Sequence, residues 1–247
     1  MIQQIEERAL NAWPGLRQLM YDGWLLRFTG GYTRRANSIS LLYTGCEDLT
    51  EKIAWCEAQY TAQQLPTVFK LLPMTQPERL DDLLAQRGYR LEAESQVLYA
   101  PLADVSVNAS KSDAIMLSPD QWLAYYADVT GSSHDAQHWH EEILRAIIPA
   151  ACPAALLRHD EPVAVGLGVL ERGMVGIYDL VTEERYRRQG LATQVISTIL
   201  SWAATLGAHG TYLQVMADNA PALALYAKMG YRPCYRYWYR VKECDAI

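Results

Sequence analysis

Arg187, Arg188, Gln189, Gly190, Leu191 and Ala192 stand in a row, directly after an apolar stretch over residues 175–181 and directly before an amphipathic one. Read as strand, turn and helix start, this string is a phosphate cradle. Backbone N–H groups with no intrahelical acceptor, and the positive end of the helix dipole, converge on one point in space. Gly190 lets the backbone approach an anion that any side chain would hold off. Arg185, Arg187 and Arg188 add positive charge at the rim. The helix that follows is marked by Leu191, Val195, Ile199, Trp202 and Leu206 at helical spacing, with Gly207 as its stop.

A second string lies downstream of a short strand at Gly210–Met216: Asp218, Asn219, Ala220, Pro221, then Leu223, Leu225, Tyr226, Lys228, Gly230 and Tyr231. Asn219 is predicted to cap a helix, Pro221 to sit in its first turn and Gly230 to stop it. Seven residues make two turns, so Tyr226 shares a face with Asn219. The pairing of R-x-x-G-x-A with N-x-P-A-x-x-L-Y-x-K-x-G-Y resembles the acyl-CoA N-acyltransferases of the GNAT superfamily, over roughly residues 114–241.

That resemblance implies acetyl-CoA as co-substrate and an amine as acceptor, without a metal. Its pyrophosphate would lie on the backbone N–H groups of Gln189, Gly190, Leu191 and Ala192, within a cradle running from Arg187 and Arg188 to Thr193. Leu180, Val181 and Thr182 would pair with the pantetheine arm and offer an N–H to the acetyl carbonyl, and Asn219 can cap its helix and touch the cofactor at once. Tyr226 is the candidate acid, since a phenol still holds its proton at neutral pH when a thiolate leaves. For the general base, Tyr178, Asp179, Glu183 and Glu184 are all open. Alternation along a strand keeps Tyr178 and Asp179 from facing the cleft together, and Asp179 is the candidate taken forward. No Cys lies in either motif, which fits direct transfer without a covalent intermediate.

His134, His138 and His140 form the other conspicuous cluster. His134 and His138 are one turn apart, a spacing able to bind a metal, but there is no Cys nearby and no His-Glu-x-x-His arrangement, so no metal site is expected. The resemblance places the segment between the first two helices of the fold along the acceptor cleft, which makes His138 and Trp139 candidate substrate contacts. The closing segment at residues 235–239, with Trp238, is a further candidate wall.

The elements that must hold these residues recur along the chain. The Gly-Tyr-Arg triplets at Gly88 and Gly230 lie 142 residues apart, and a helix around Trp55 followed by a strand over residues 67–72 echoes the helix around Trp202 and its strand. The expected fold class is therefore α/β (α+β): tandem GNAT-like modules, each a twisted mixed sheet flanked by helices. A degenerate N-terminal module spans 1–105 and a catalytic one 111–247, with a polar join near residues 104–113. At the same offset Tyr226 falls on Leu84 and Asn219 on Pro77. Moreover, no Lys or Arg lies between Asn37 and Lys52, where the cradle's counterpart would be, and Glu47, Asp48 and Glu51 stand there instead. The first copy is thus expected to bind no CoA. The Gly30-Gly31-Tyr32 centre of an N-terminal segment suits a hairpin turn.

With 247 residues, half of them hydrophobic, the chain can bury one large core or two modest ones. A net charge of −6 argues against nucleic acid as partner and is compatible with a cationic amine. The N-terminus carries no signal pattern and no apolar run approaches a membrane span, so a cytoplasmic, non-membrane protein is expected. The five cysteines fit free thiols better than a disulfide framework; Asn108-Ala109-Ser110 is a glycosylation acceptor in form alone. A CoA-binding or sensor module without catalysis, and transfer of a longer acyl group, remain open beside acetyl transfer.

Overall fold

A computed structural model describes residues 1–73, 77, 79–106 and 112–244; the glycosylation-like triplet and most of the polar join lie outside the described residues. The chain forms two compact units, neither of which is one continuous piece. One is Met1–Ala12 with Val97–Tyr235, the other Trp13–Gln96 with Arg236–Ile247.

The unit that carries both motifs has helix α1 (Ile2–Ala12) and then the second half of β5 (Arg90–Pro101), β6 (Ile115–Met116), α4 (Pro119–Thr130), α5 (His134–Arg145), β7 (Ala150–Arg158), β8 (Glu161–Glu171), β9 (Met174–Thr182), α6 (Leu191–Thr205), β10 (Gly210–Met216) and α7 (Ala220–Lys228). Its strands run in the order β5-β10-β9-β8-β7-β6. Helix α6 turns Leu191, Val195, Ile196, Ile199 and Leu200 into a buried cluster with Ala154, Ala164, Val175 and Ile177 of the sheet. Two glycines of β8 let the helix lie close: a Cβ on Gly166 would stand 2.8 Å from Val195, and one on Gly168 would collide with Ile199. The helix ends as its sequence indicates, with Gly207 at φ +81° and the Ala208 N–H closing on the Ala203 carbonyl. Ser118 and Gln121 form a capping box on α4, and Ser133 caps α5.

The second unit contains β1 (Arg17–Tyr21), β2 (Trp24–Phe28), β3 (Ile39–Leu41), α2 (Leu49–Thr61), β4 (Thr67–Leu71), α3 (Leu80–Gln86) and the first half of β5, and it ends with the last part of β11 (Arg232–Lys242). The strand order is β1-β2-β3-β4-β11-β5, with Trp238–Lys242 of β11 running antiparallel to Leu71–Thr67. Trp24, Leu26, Phe28, Ile53, Tyr60, Phe69, Leu80 and Leu84 fill its core. β2 and β3 pair antiparallel, but the Gly30–Gly31 segment is no tight hairpin turn. Ten residues, 29–38, connect the strands and fold around buried Asn37, whose side chain accepts from Thr29 and Gly31 and donates to the carbonyls of Thr29, Tyr32 and Thr33.

The helix–strand–helix–strand order of α2, β4, α3, β5 matches that of α6, β10, α7, β11. The match extends to single bonds. The Tyr89 N–H closes on the carbonyl of Leu84 at the end of α3, as the Tyr231 N–H closes on that of Tyr226 at the end of α7, both at 3.0 Å.

Candidate active site

The start of α6 has the form the sequence indicates. A 3-10 turn over Glu184–Tyr186 leads into Gly190, the N-cap residue, at φ +78° and with no side-chain cap. Among the described residues, no protein acceptor takes the backbone N–H groups of Gln189, Gly190, Leu191, Ala192 and Thr193; the first N–H to close inside the helix is that of Gln194, on the Gly190 carbonyl. A Cβ at Gly190 would meet nothing within 4 Å. The arginines divide. Arg187 and Arg188 are exposed, with Arg187 Nε donating to the Thr182 carbonyl at 3.3 Å and so tying the loop to the end of β9. Arg185, also exposed, lies 2.5 Å from Glu183 and 3.8 Å from Glu161.

Helix α2 offers the contrast in the other unit. The position 142 residues before Gly190 is Asp48, whose carboxylate accepts from Thr50 and Glu51 N–H and closes the helix start. A carboxylate suits the helix dipole and repels a phosphate from the same spot.

β9 is the second feature. Its parallel ladder with β10 runs from Met174–Gly210 to Ile177–Leu213 and stops, while β9 itself continues to Thr182. Along the other edge its register with β8 shifts between Val165 and Leu167. Gly166 thereby faces both Asp179 and Leu180, and Asp179 takes φ +47°, a bulge with the extra residue in left-handed conformation. The carboxylate of Asp179 is nearly buried, its side chain 6% exposed, and lies 2.9 Å from Nε2 of His140 on α5. Tyr178 engages a different partner, the hydroxyl of Tyr212 at 2.8 Å. Glu183 holds Arg185, and Glu184 is exposed at the start of the 3-10 turn.

Asn219 caps α7, its side chain accepting from Ala222 N–H at 3.2 Å, with Pro221 in the first turn. Tyr226 is buried in the cluster that also holds Leu191, Val195 and Cys152 and against which Leu180 packs. Residues of α6 and α7 therefore belong to one apolar cluster, with Leu180 of β9 packed against it. Burial pushes the Tyr226 phenol up to about 12, and pushes the Cys152 thiol in the same cluster up to about 12.

The histidine cluster sorts differently from its spacing. Residues His134–Arg145 are helix α5 itself rather than the segment between two helices. His138 is exposed and Trp139 half-buried beside it, their rings 5.1 Å apart. The buried member is His140, which sequence reasoning did not single out; its ring meets Tyr126 at 4.4 Å and Trp122 at 5.8 Å, edge to face. His140 and Ile143 are the two buried positions of α5 and lie one turn apart. Trp238 is engaged in the other unit, donating to Asp81 of α3 at 3.0 Å. Among the described residues no group of three or more His, Cys, Asp or Glu is placed to hold a metal ion, and no helix is long and apolar enough to cross a membrane.

A sequence model of the family described as "Probable histone acetyltransferase Rv0428c C-terminal" matches residues 1–240. The chain belongs to this family. It is an acyltransferase of the GNAT type, as the paired motifs suggested. "Uncharacterized N-acetyltransferase YobR" of Bacillus subtilis is 29% identical over 251 residues, covering 98% of this chain and 99% of its own. Among solved structures, a GCN5-related N-acetyltransferase from Kribbella flavida superposes with a TM-score of 0.72 at 16% identity, over 97% of this chain and 95% of that one. A tandem GNAT protein from the clavulanic acid biosynthesis pathway does so at 0.62 and 12% identity, over 99% and 95%. These two likenesses show a GNAT fold.

Proposed function

We propose that the chain transfers an acetyl group from acetyl-CoA to a primary amine by direct attack, with no covalent enzyme intermediate. The observation that carries this reading is the open, uncapped start of α6 beside the strand end whose ladder with β10 has stopped. Five backbone donors without a protein acceptor, Gln189 to Thr193, favour a pyrophosphate. The edge of β9 over Leu180, Val181 and Thr182 is available to a pantetheine arm, and the resemblance gives that edge the N–H that stabilises the oxyanion.

The amine nitrogen attacks the thioester carbonyl, the C–S bond breaks, and two protons move. One leaves the amine for the carboxylate of Asp179; the other passes from the Tyr226 hydroxyl to the departing thiolate, and solvent restores both groups. In water a thiol near 8.5 is a poor match for a phenol at about 12. A thiolate is more basic where burial keeps water from it, so release into an apolar environment narrows that mismatch. Catalysis, rather than CoA binding alone, is favoured by this placement, since a sensor has no use for a phenol among the groups that would surround the thiol.

The test is release of CoA thiol from acetyl-CoA across a panel of primary amines, run beside Gly190→Glu. Amine-dependent release by the parent and its loss in the variant, with acetyl-CoA affinity lost in calorimetry, is the expected result. A folded Gly190→Glu protein with parental affinity would remove the cradle assignment, and release that ignores the amine would remove the acceptor.

A further inference from the structure

We propose that a cavity at the C-terminal end of α7 binds a planar zwitterion, a small molecule with a flat body and both an ammonium and a carboxylate, of the kind an aromatic amino acid represents. The cavity measures about 490 Å³ and lies wholly within the unit that carries both motifs. Its lining includes Tyr99, Pro101, Tyr231 and Pro233 as flat walls, Asp104 and Arg232 as charges, and the Cys234 thiol. No residue of the cradle from Arg187 to Thr193 lines it, and neither does Tyr226 or Asp179. A hollow beside a helix end can simply hold solvent. Three features point beyond that.

First, the walls are fixed before anything binds. A Cβ on Gly230 would stand 2.6 Å from the Asp104 carbonyl, and the Ser106 N–H donates to the Met229 carbonyl at 3.0 Å, so the end of α7 already rests against the chain that follows β5. The Tyr231 hydroxyl pairs with that of Thr211 at 3.0 Å, and its ring meets Tyr226 edge to face at 5.9 Å. Tyr99 lies against Gly210, where a Cβ would stand 2.9 Å from its ring, and the two prolines have a fixed φ. Second, a volume of about 490 Å³ falls in the range of about 300–1,000 Å³ usual for small-molecule sites, in which mainly apolar walls carry a few polar groups. Third, Asp104 and Arg232 line one hollow from different segments, yet neither enters an ion pair among the described residues. An acid and a base that do not neutralise each other offer separate places for an ammonium and a carboxylate. The negative end of the α7 dipole strengthens the place for the cation, and the guanidinium fork of Arg232 suits the carboxylate. The tyrosine faces suit a flat ring between them.

The experiment uses the full chain and follows alkylation of Cys234 by iodoacetamide, resolved residue by residue by peptide mass spectrometry, with calorimetry for affinity. The probes are L-tryptophan, tryptamine, which lacks the carboxylate, and indole-3-propionate, which lacks the ammonium. At ten times its Kd, L-tryptophan should slow alkylation of Cys234 about tenfold by mass action, and leave exposed Cys46 unchanged. Asp104→Asn and Arg232→Gln should each weaken L-tryptophan about two- to fivefold, the weight of an exposed ion pair. Tryptamine should ignore Arg232→Gln, and indole-3-propionate should ignore Asp104→Asn. Ala227→Trp, which fills the hollow, should abolish protection by all three. No protection of Cys234 by L-tryptophan overturns the site. Protection that a single-charge probe equals, or that both charge variants leave unchanged, overturns the zwitterion. Competition between L-tryptophan and acetyl-CoA overturns a site separate from the cradle. The readout needs no amine and no turnover, so its outcome is independent of the transfer reading.

Discussion

Tyr226 and His140 show how differently two buried residues are written in a sequence. Tyr226 stood out because it sits in a motif with fixed neighbours, and it is buried in the cluster that also holds Leu191 and Cys152. Its removal as a proton source makes a sharp prediction: Tyr226→Phe should lower turnover about 10²–10⁴-fold while acetyl-CoA affinity, measured by calorimetry, stays near the parent's. Turnover within twofold of the parent, where chemistry limits the rate, would end that role. His140 was not legible, since metal-like spacing drew attention to His134 and His138, and what distinguishes His140 is a partner 39 positions away. Arg185 is the converse case, a charge visible in the sequence whose pairing with Glu183 two residues earlier is not.

At the level of elements, the caps and stops read well because they are local: Asn219 and Pro221 at α7, Gly207 after α6, the strand at Gly210–Met216. The bulge at Asp179 was out of reach. Nothing in Tyr178-Asp179-Leu180 announces it, because it is set by how β9 registers with β8, a pairing between strands rather than a property of either. The ten-residue connection around Asn37 was missed for a related reason, since two adjacent glycines signal a turn without giving its length. The contact of α6 with β8 carries its own prediction. Gly168→Val would drive a side chain into Ile199 and, at 3.5 Å, against Val175, so stability should fall by about 1–3 kcal/mol in denaturant unfolding. Because α6 presents the cradle at its other end, acetyl-CoA affinity should weaken with it, whereas an unchanged unfolding midpoint would mean the helix is not seated on that glycine.

Across the whole molecule, the helix–strand–helix–strand order shared by α2–β5 and α6–β11 was visible in the sequence, but the strand pairings that complete each unit link positions far apart in the chain and leave no local mark. The contrast between Gly190 and Asp48 predicts one acetyl-CoA per chain; calorimetric titration giving two sites would contradict it. Alkaline stability is set by buried neutral groups in both units. Cys56 and Cys152 are raised from 9.0 to about 12 and Tyr226 from 10.0 to about 12, all chiefly by burial. The unfolded chain therefore loses these protons first, so the contribution of these three groups to stability should be constant below about pH 9 and fall as pH rises from about 9 to about 12. A thermal midpoint that holds constant through that window would refute the burial of these groups. The pairing of residues 238–242 with β4 has a further consequence for biosynthesis. While the ribosome is still making α6 or α7, β4 has no β11 beside it and its edge is open, so the first-made unit cannot finish folding first. Its completion is coupled to the synthesis of residues more than 160 positions later. In the interval the nascent protein exposes the kind of strand edge that chaperones shield, and slowed elongation after β4 should raise its dependence on them.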